Sequence, residues 1–210
     1  LSIIQAAGWP IWTLIACSIV GLALVIERAL SLRTARIAPP RLLDEAMQAS
    51  RNGVPPADVI EQLADNSLLG AVLAAGLHTL HLNPRATDAE LRAALESAGR
   101  LAAAQLQRYL GALGTVASAA PLLGLLGTVI GMIEIFGSQA GPGGLLPGGG
   151  NPAQLAHGIS VALYNTAFGL IIAVPALVFW RYFRARADAL LLQLEVAAET
   201  FLHHLLTLRR

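Results

Sequence analysis

The chain has 210 residues, 55% of them hydrophobic and only 13% charged, against roughly 25% charged in ordinary globular domains, and its mean hydropathy is +0.62. A net charge of +1 leaves no electrostatic footprint for nucleic acid. The single cysteine, Cys17, closes no internal disulfide, and the low charge density argues against wholesale disorder. What remains is a membrane protein whose charges, with arginine as the only strong base, are confined to certain stretches.

Residues Leu1 to Ile26 carry no Asp, Glu or Arg. This window exceeds the ~20 apolar residues that cross a ~30 Å hydrocarbon layer, and it predicts a first span over Trp9–Ile26, within a segment 1–27. A signal peptide would have a basic leader and small residues at its end. This window has neither and ends in Glu27-Arg28, so a retained helix is expected. The chain begins on Leu1 rather than Met, and a few residues ahead of it are expected.

The region 28–112 holds Arg28, Arg33, Arg36 and Arg41 after the first span and Arg92, Arg100 and Arg108 before the next. Pro39-Pro40 ends the extension of the first span, and Arg41–Ser50 reads as a short helix. Breaks at Asn52-Gly53 and Pro55-Pro56 precede two more, Ala57–Ala64 and Ser67–Leu82. The second shows an apolar stripe of Leu69, Val72, Leu73, Gly76, Leu77 and Leu80. After Pro84, Thr87 with Glu90 three residues on is a capping-box signature. The helix it opens repeats Leu91, Leu95, Ala98, Ala102, Leu106 and Tyr109, and no Pro interrupts it before the next charge-free window. One helix from Thr87 to Phe136, ~75 Å long at 1.5 Å per residue, is therefore expected.

Windows Tyr109–Ile133 and Ile135–Trp180 are again free of Asp, Glu and Arg. They predict a second span over 113–136 and a third over 155–180. The Gly/Pro-rich segment 137–154 between them holds neither helix nor strand well and reads as a connector. Arg181, Arg184 and Arg186 follow the third span. By the arginine distribution the N-terminus and the 137–154 loop lie outside, and the 28–112 region and the 181–210 tail lie in the cytoplasm. Trp9, Trp12 and Trp180 stand at span ends as interfacial anchors do. The tail continues the third helix with an apolar stripe of Leu190, Leu194, Ala197, Phe201, Leu205 and Leu208, which requires a partner in its own chain or a neighbouring copy. The expected fold is thus all-α, with three transmembrane helices and with spans two and three extended into long cytoplasmic helices. Three spans without an internal repeat make a poor transporter alone, so a homo-oligomer embedded in lipid is implied.

Both later spans carry small-residue stripes, Gly114, Ala117, Ala120, Gly124, Gly127 and Gly131 in one, and Gly158, Ala162, Thr166, Gly169, Ala173 and Ala176 in the other. Such stripes let helix backbones approach closely in lipid. Pro121 and Pro175 break the helical ladder, and the freed carbonyls need local partners. The polar residues point further. Thr128 is mid-span two, Ser160, Tyr164, Asn165 and Thr166 are in span three, and Glu134 is near the outer end of span two. Polar groups at membrane depth usually face a bundle interior or water, and a carboxylate there is a functional candidate. The plainer alternative for each hydroxyl is a bond to a carbonyl one turn back, and for Glu134 a place at the headgroup level. His78 and His81 lack a third ligand for a metal. His203 and His204 point in different directions, and His157 at the outer mouth of span three is a pH sensor or an interfacial residue. There is no nucleotide-binding glycine loop and no Ser-His-Asp set. Neither an enzyme, a cofactor nor a metal is expected.

The stretches Ala120-Pro-Leu-Leu-Gly-Leu-Leu-Gly-Thr-Val-Ile-Gly-Met132 and Gly158-Ile-Ser-Val-Ala-Leu-Tyr-Asn-Thr-Ala-Phe-Gly-Leu-Ile-Ile-Ala-Val-Pro-Ala176 resemble the two signature spans of the ExbB/TolQ/MotA proton-channel family. The overall plan is most similar to ExbB, then TolQ; the MotA branch has four spans. The resemblance implies a pentameric ring in the bacterial inner membrane, with spans two and three around a pore. Two copies of a single-span ExbD-like partner with a protonatable Asp sit in that pore. Proton flow there energises a TonB-like protein serving outer-membrane transport, or in the TolQ branch envelope integrity. The family's pore threonines match Thr128 and Thr166, with Asn165, Ser160 and Glu134 as further candidates for the proton path. Gly124, Gly127, Gly131, Ala162, Gly169, Ala173, Pro121 and Pro175 are candidates for helix packing. ExbB and TolQ proteins commonly carry a Glu where this chain has Val161. With both threonines at one depth, Glu134 falls ~9 Å and Val161 ~7.5 Å further out, so Glu134 is a candidate replacement. A non-conducting membrane scaffold is the reading from a different class.

Overall fold

The computed structural model describes residues 9–51, 53–139 and 152–208. Among them every regular element is helical: α1 (Pro10–Ser31), α2 (Thr34–Ile37), α3 (Leu42–Ser50), α4 (Ala57–Asn66), α5 (Leu68–Leu82), α6 (Asp88–Gln107), α7 (Leu110–Gln139) and α8 (Pro152–Leu208). Stretches within α1, α7 and α8 are long and apolar enough to cross a membrane. The connector expected over 137–154 falls mostly outside the described residues, as does the side chain of His157.

The chain divides into two compact units. One comprises Leu1–Glu27 with Tyr109–Tyr182, the other Arg28–Arg108 with Phe183–Arg210. The first, the transmembrane unit, is built from α1, α7 and the first part of α8. It keeps Leu113, Ala120, Ala162 and Asn165 buried while Ile19, Leu22, Leu122, Ile133, Ile171 and Val178 are exposed. Large aliphatic side chains turned outward along these helices suit hydrocarbon rather than water. Pro121 and Pro175 lie inside α7 and α8 without ending either helix.

The second unit follows its sequence signals closely. Ser67 accepts a hydrogen bond from the Gly70 N–H at 3.1 Å and caps α5. The whole stripe Leu69, Val72, Leu73, Gly76, Leu77 and Leu80 is buried, where α5 packs against α4 and α6. Each such leucine or valine contributes about 1.5–3 kcal/mol by leaving water. The capping box is complete: the Glu90 N–H donates to Thr87 Oγ1 at 3.2 Å and the Thr87 N–H to Glu90 Oε2 at 2.6 Å. These bonds, the backbone one first and then that from the Thr87 hydroxyl, hold the Glu90 carboxyl below its ordinary value. The α8 tail buries Leu190, Leu194, Ala197, Phe201 and Leu205. His204 Nε2 lies 3.2 Å from the buried Ser50 Oγ of α3, and Arg186 donates to Thr34 Oγ1 at 2.5 Å. The tail stripe therefore finds its partners within its own chain.

One expectation is corrected. The single helix from Thr87 to Phe136 is interrupted: Arg108 is extended (ψ 138°) and Tyr109 is left-handed (φ 63°), and α7 starts at Leu110. Of spans two and three, only span three continues unbroken into the second unit. A non-glycine residue in that conformation costs roughly 1–2 kcal/mol, and tertiary packing overrides the helical propensity of a stretch with no Gly or Pro to mark the break. Arg28, which follows the first span, is only 3% exposed.

Candidate functional site: the seam of the two signature helices

The small-residue stripes of α7 and α8 face each other in antiparallel order. A Cβ placed on Gly131 would meet Ala162 Cβ at 3.1 Å, one on Gly127 would meet Asn165 Cβ at 2.7 Å, and one on Gly169 would meet the Ala120 carbonyl oxygen at 2.6 Å. At Gly124 the neighbours are backbone: Asn165 O at 2.7 Å, Thr166 Cα at 3.0 Å and Gly169 Cα at 3.2 Å. The helices touch backbone to backbone there, which only glycine permits. Further along, Gly158 lies under Ile135. At the other end Gly114 lies under the Trp180 indole, whose Nε1 would be 2.9 Å from an added Cβ. Trp180, expected as an interfacial anchor, thus also closes the seam. The only sequence signal for this contact is that Gly114 begins the small-residue stripe.

The polar candidates divide by their place relative to the seam. Asn165 is 1% exposed and its amide lies against Gly127. It is a polar side chain inside the helix pair rather than on its surface. Thr166 is the next residue. Its hydroxyl is buried and has no hydrogen-bond partner among the described residues. Thr128 differs: its hydroxyl donates to the Leu125 carbonyl at 2.7 Å, and its side chain lines a shallow groove with Val129, Met132, Ile133 and Phe136. Ser160 is exposed and donates to the Ala156 carbonyl at 2.9 Å, the ordinary intrahelical bond. Glu134 is exposed. Ala162, Ala173 and Gly169 are buried and Pro121 is half-buried, while Pro175 is exposed.

The register changes one depth expectation. With Gly127 on Asn165 and Gly124 on Thr166, Thr166 is level with residues 124–126 and Thr128 with residues 164–165. The two threonines are staggered by ~3 Å at 1.5 Å per residue instead of sharing one depth. With Gly131 on Ala162 and Ile135 near Gly158, Glu134 lies ~3 Å beyond the level of Val161, within one helical turn. No group of three or more His, Cys, Asp or Glu suited to a metal occurs among the described residues. His78 and His81 are both exposed.

A sequence model of the MotA/TolQ/ExbB proton channel family matches residues 64–196, which include both signature helices. The chain belongs to this family. It is 33% identical to biopolymer transport protein ExbB-like 3 of Synechocystis, over 86% of this chain and 83% of that protein. It is also 33% identical to biopolymer transport protein exbB1 of Vibrio cholerae, over 91% and 82%. The Tol-Pal system protein TolQ of Pseudomonas aeruginosa is 27% identical over 90% and 83%. The likeness is strongest on the ExbB side of the family, and the family is one of membrane proton channels rather than enzymes. The seam of the two signature helices holds one buried amide, Asn165, and one buried hydroxyl, Thr166, with no partner among the described residues.

Proposed function

We propose that this family member is the ring-forming subunit of an ExbB-type motor in the bacterial inner membrane. Five copies surround two copies of an ExbD-like single-span protein, and proton flow down the proton-motive force energises a TonB-like protein. Thr166 and Thr128 take part in the proton path, with Asn165 holding the seam beside them and Ser160 and Glu134 nearer its outer end. The observation that carries this reading is the Thr166 hydroxyl, buried at the α7–α8 crossing without a partner among the described residues. A hydroxyl both donates and accepts, so it can join a chain of hydrogen bonds with water and a partner's carboxyl. In a mere packing scaffold it would bond back to its own helix, as Thr128 does.

The TolQ relative supports a second reading, a Tol-type subunit acting on envelope integrity. The test is co-expression with an ExbD-like single-span protein, mass measurement of the purified complex, and proton flux in liposomes. A ring that conducts with the partner and loses flux with Thr166→Val supports the motor. A monomer or dimer, or a Thr166→Val ring with full flux, overturns it. Restoration of TonB-dependent uptake or of detergent resistance in deletion strains separates the two branches.

A further inference from the structure

Two segments that leave the membrane are tied together by one hydroxyl. α1 ends at Ser31, and the four-residue helix α2 follows it almost at once. Leu32 and Ile37 are buried on either side and pin α2 in place, while Arg33 and Arg36 are exposed. Thr34 stands between these two arginines, and its hydroxyl accepts a hydrogen bond from the exposed Arg186 of α8. Three guanidiniums therefore gather about Thr34. No acidic residue occurs from Arg28 to Leu43. Arg33, Arg36 and Arg186 form no ion pair among the described residues. Asp188, two residues past Arg186, points to another side of α8.

We propose that Arg33, Arg36 and Arg186 form a site for the phosphate of an anionic phospholipid headgroup. Like charges without a counter-charge repel, and a phosphodiester relieves that repulsion while accepting paired N–H bonds from a guanidinium fork. The level along the helices selects lipid over a soluble anion. Arg33 follows directly on α1, a helix of membrane length. Arg186 is six residues, or ~9 Å, along α8 from Trp180, where the charge-free window closes. Helical side chains lean toward the N-terminus of their helix, which for Arg186 is the membrane side, and a long arginine side chain reaches back to the headgroups. A diffuse basic flank attracts anionic lipid through charge alone. Here the Thr34 bond adds geometry, joining two segments that are far apart in sequence into one site. The proposal needs only the transmembrane character of the chain; neither the ring nor proton conduction enters it.

The full chain is reconstituted in vesicles of phosphatidylcholine mixed with phosphatidylglycerol and extracted, and the lipids that stay bound are counted by mass measurement. The wild-type chain is expected to retain phosphatidylglycerol in preference to phosphatidylcholine. Arg33→Gln, Arg36→Gln and Arg186→Gln are each expected to lower that preference about fivefold. Arg85→Gln makes the same change of charge before the start of α6, ~30 Å along that helix from Arg108, and is expected to leave the preference unchanged. Thr34→Val keeps every charge but releases Arg186, and is expected to lower the preference severalfold. No preference in the wild-type chain, or an equal loss in Arg85→Gln, overturns the proposal. Full preference in Thr34→Val also overturns it, because the arginines then act as diffuse charge rather than as a site. Extraction in inorganic phosphate, against chloride at equal ionic strength, separates the two sources of a phosphate group. Displacement by inorganic phosphate overturns lipid as the occupant, and retention of phosphatidylglycerol supports it. Melting temperature in phosphatidylcholine alone reports whether each variant is folded; should Arg186→Gln unfold, Thr34→Val and Arg36→Gln carry the test.

Discussion

Gly124 is one of the positions, with Gly169, where the seam meets backbone rather than side chain. An alanine there puts Cβ 2.7 Å from the Asn165 carbonyl oxygen and 3.0 Å from Thr166 Cα. Both are backbone atoms of the facing helix, so no rotamer change relieves them, and α7 and α8 must part by about 0.7 Å to reach ordinary contact. Overpacking of this kind costs about 1–3 kcal/mol, and about 2–4 °C of melting temperature per kcal/mol for a chain of this size. Gly111 on the same helix has nothing within 4 Å of an added Cβ. Gly111→Ala is expected to be neutral or stabilising by about 0.5–1 kcal/mol through helix propensity. Gly131→Ala meets only the Ala162 methyl at 3.1 Å, so its smaller penalty is expected to vanish when combined with Ala162→Gly. The assay is the melting temperature of the purified complex beside proton flux in liposomes. Equal stability and flux for Gly124→Ala and Gly111→Ala would refute the backbone-to-backbone seam.

The threonines are expected to differ. Thr166→Val should abolish energy-dependent uptake with the complex still assembled, while Thr128→Val, whose hydroxyl already serves the Leu125 carbonyl, should reduce it less; the reverse order counts against the Thr166 assignment. Glu134→Gln should lower motor output with normal assembly and be partly rescued by Val161→Glu; an unchanged uptake profile across a pH series would make Glu134 an ordinary interfacial carboxylate. Thr87→Ala should destabilise the second unit by about 1 kcal/mol, as N-cap removal does, and speed amide exchange at the start of α6. Because the Thr87 bonds lower the Glu90 pKa from 4.5, the cap contributes fully above the unfolded value and is lost as pH falls through the lower folded one. Protection at the start of α6 that is unchanged on full acid titration of Glu90 would contradict this.

Much of the fold is legible because local chemistry and burial agree. The Thr87–Glu90 box, the α5 stripe and the tail stripe from Leu190 to Leu205 each follow from spacing alone. Periodicity says which face is apolar but not what covers it, so the sequence left open whether the tail packs on its own chain, as it does, or on a neighbour. The break at Tyr109 has no Gly or Pro to announce it, and the 3% exposure of Arg28 reflects tertiary packing that no local pattern encodes. At the seam the glycines name both helices, but the stagger of Thr128 and Thr166 depends on which small residue meets which. That is settled by the facing pairs Gly124 with Thr166 and Gly127 with Asn165.

The hydroxyls of the transmembrane unit carry the distinction between packing and function further than its glycines do. Thr13, Thr115, Ser118, Thr128 and Ser160 each donate to a carbonyl of their own helix. They satisfy themselves and ask nothing of their surroundings. Thr166 does not, although its hydroxyl is buried, and a buried polar group without a partner costs about 1–3 kcal/mol. Thr166 Cα stands against Gly124, where the two helices touch backbone to backbone, one residue from the buried Asn165. A site that departs from the local rule its neighbours obey is expected to be functional or strained. In the motor proposed above, the uncommitted hydroxyl at membrane depth would relay a proton between water and the carboxyl of a partner. On that proposal the glycines around it would act as positioning residues, because they set the distance between the two helices.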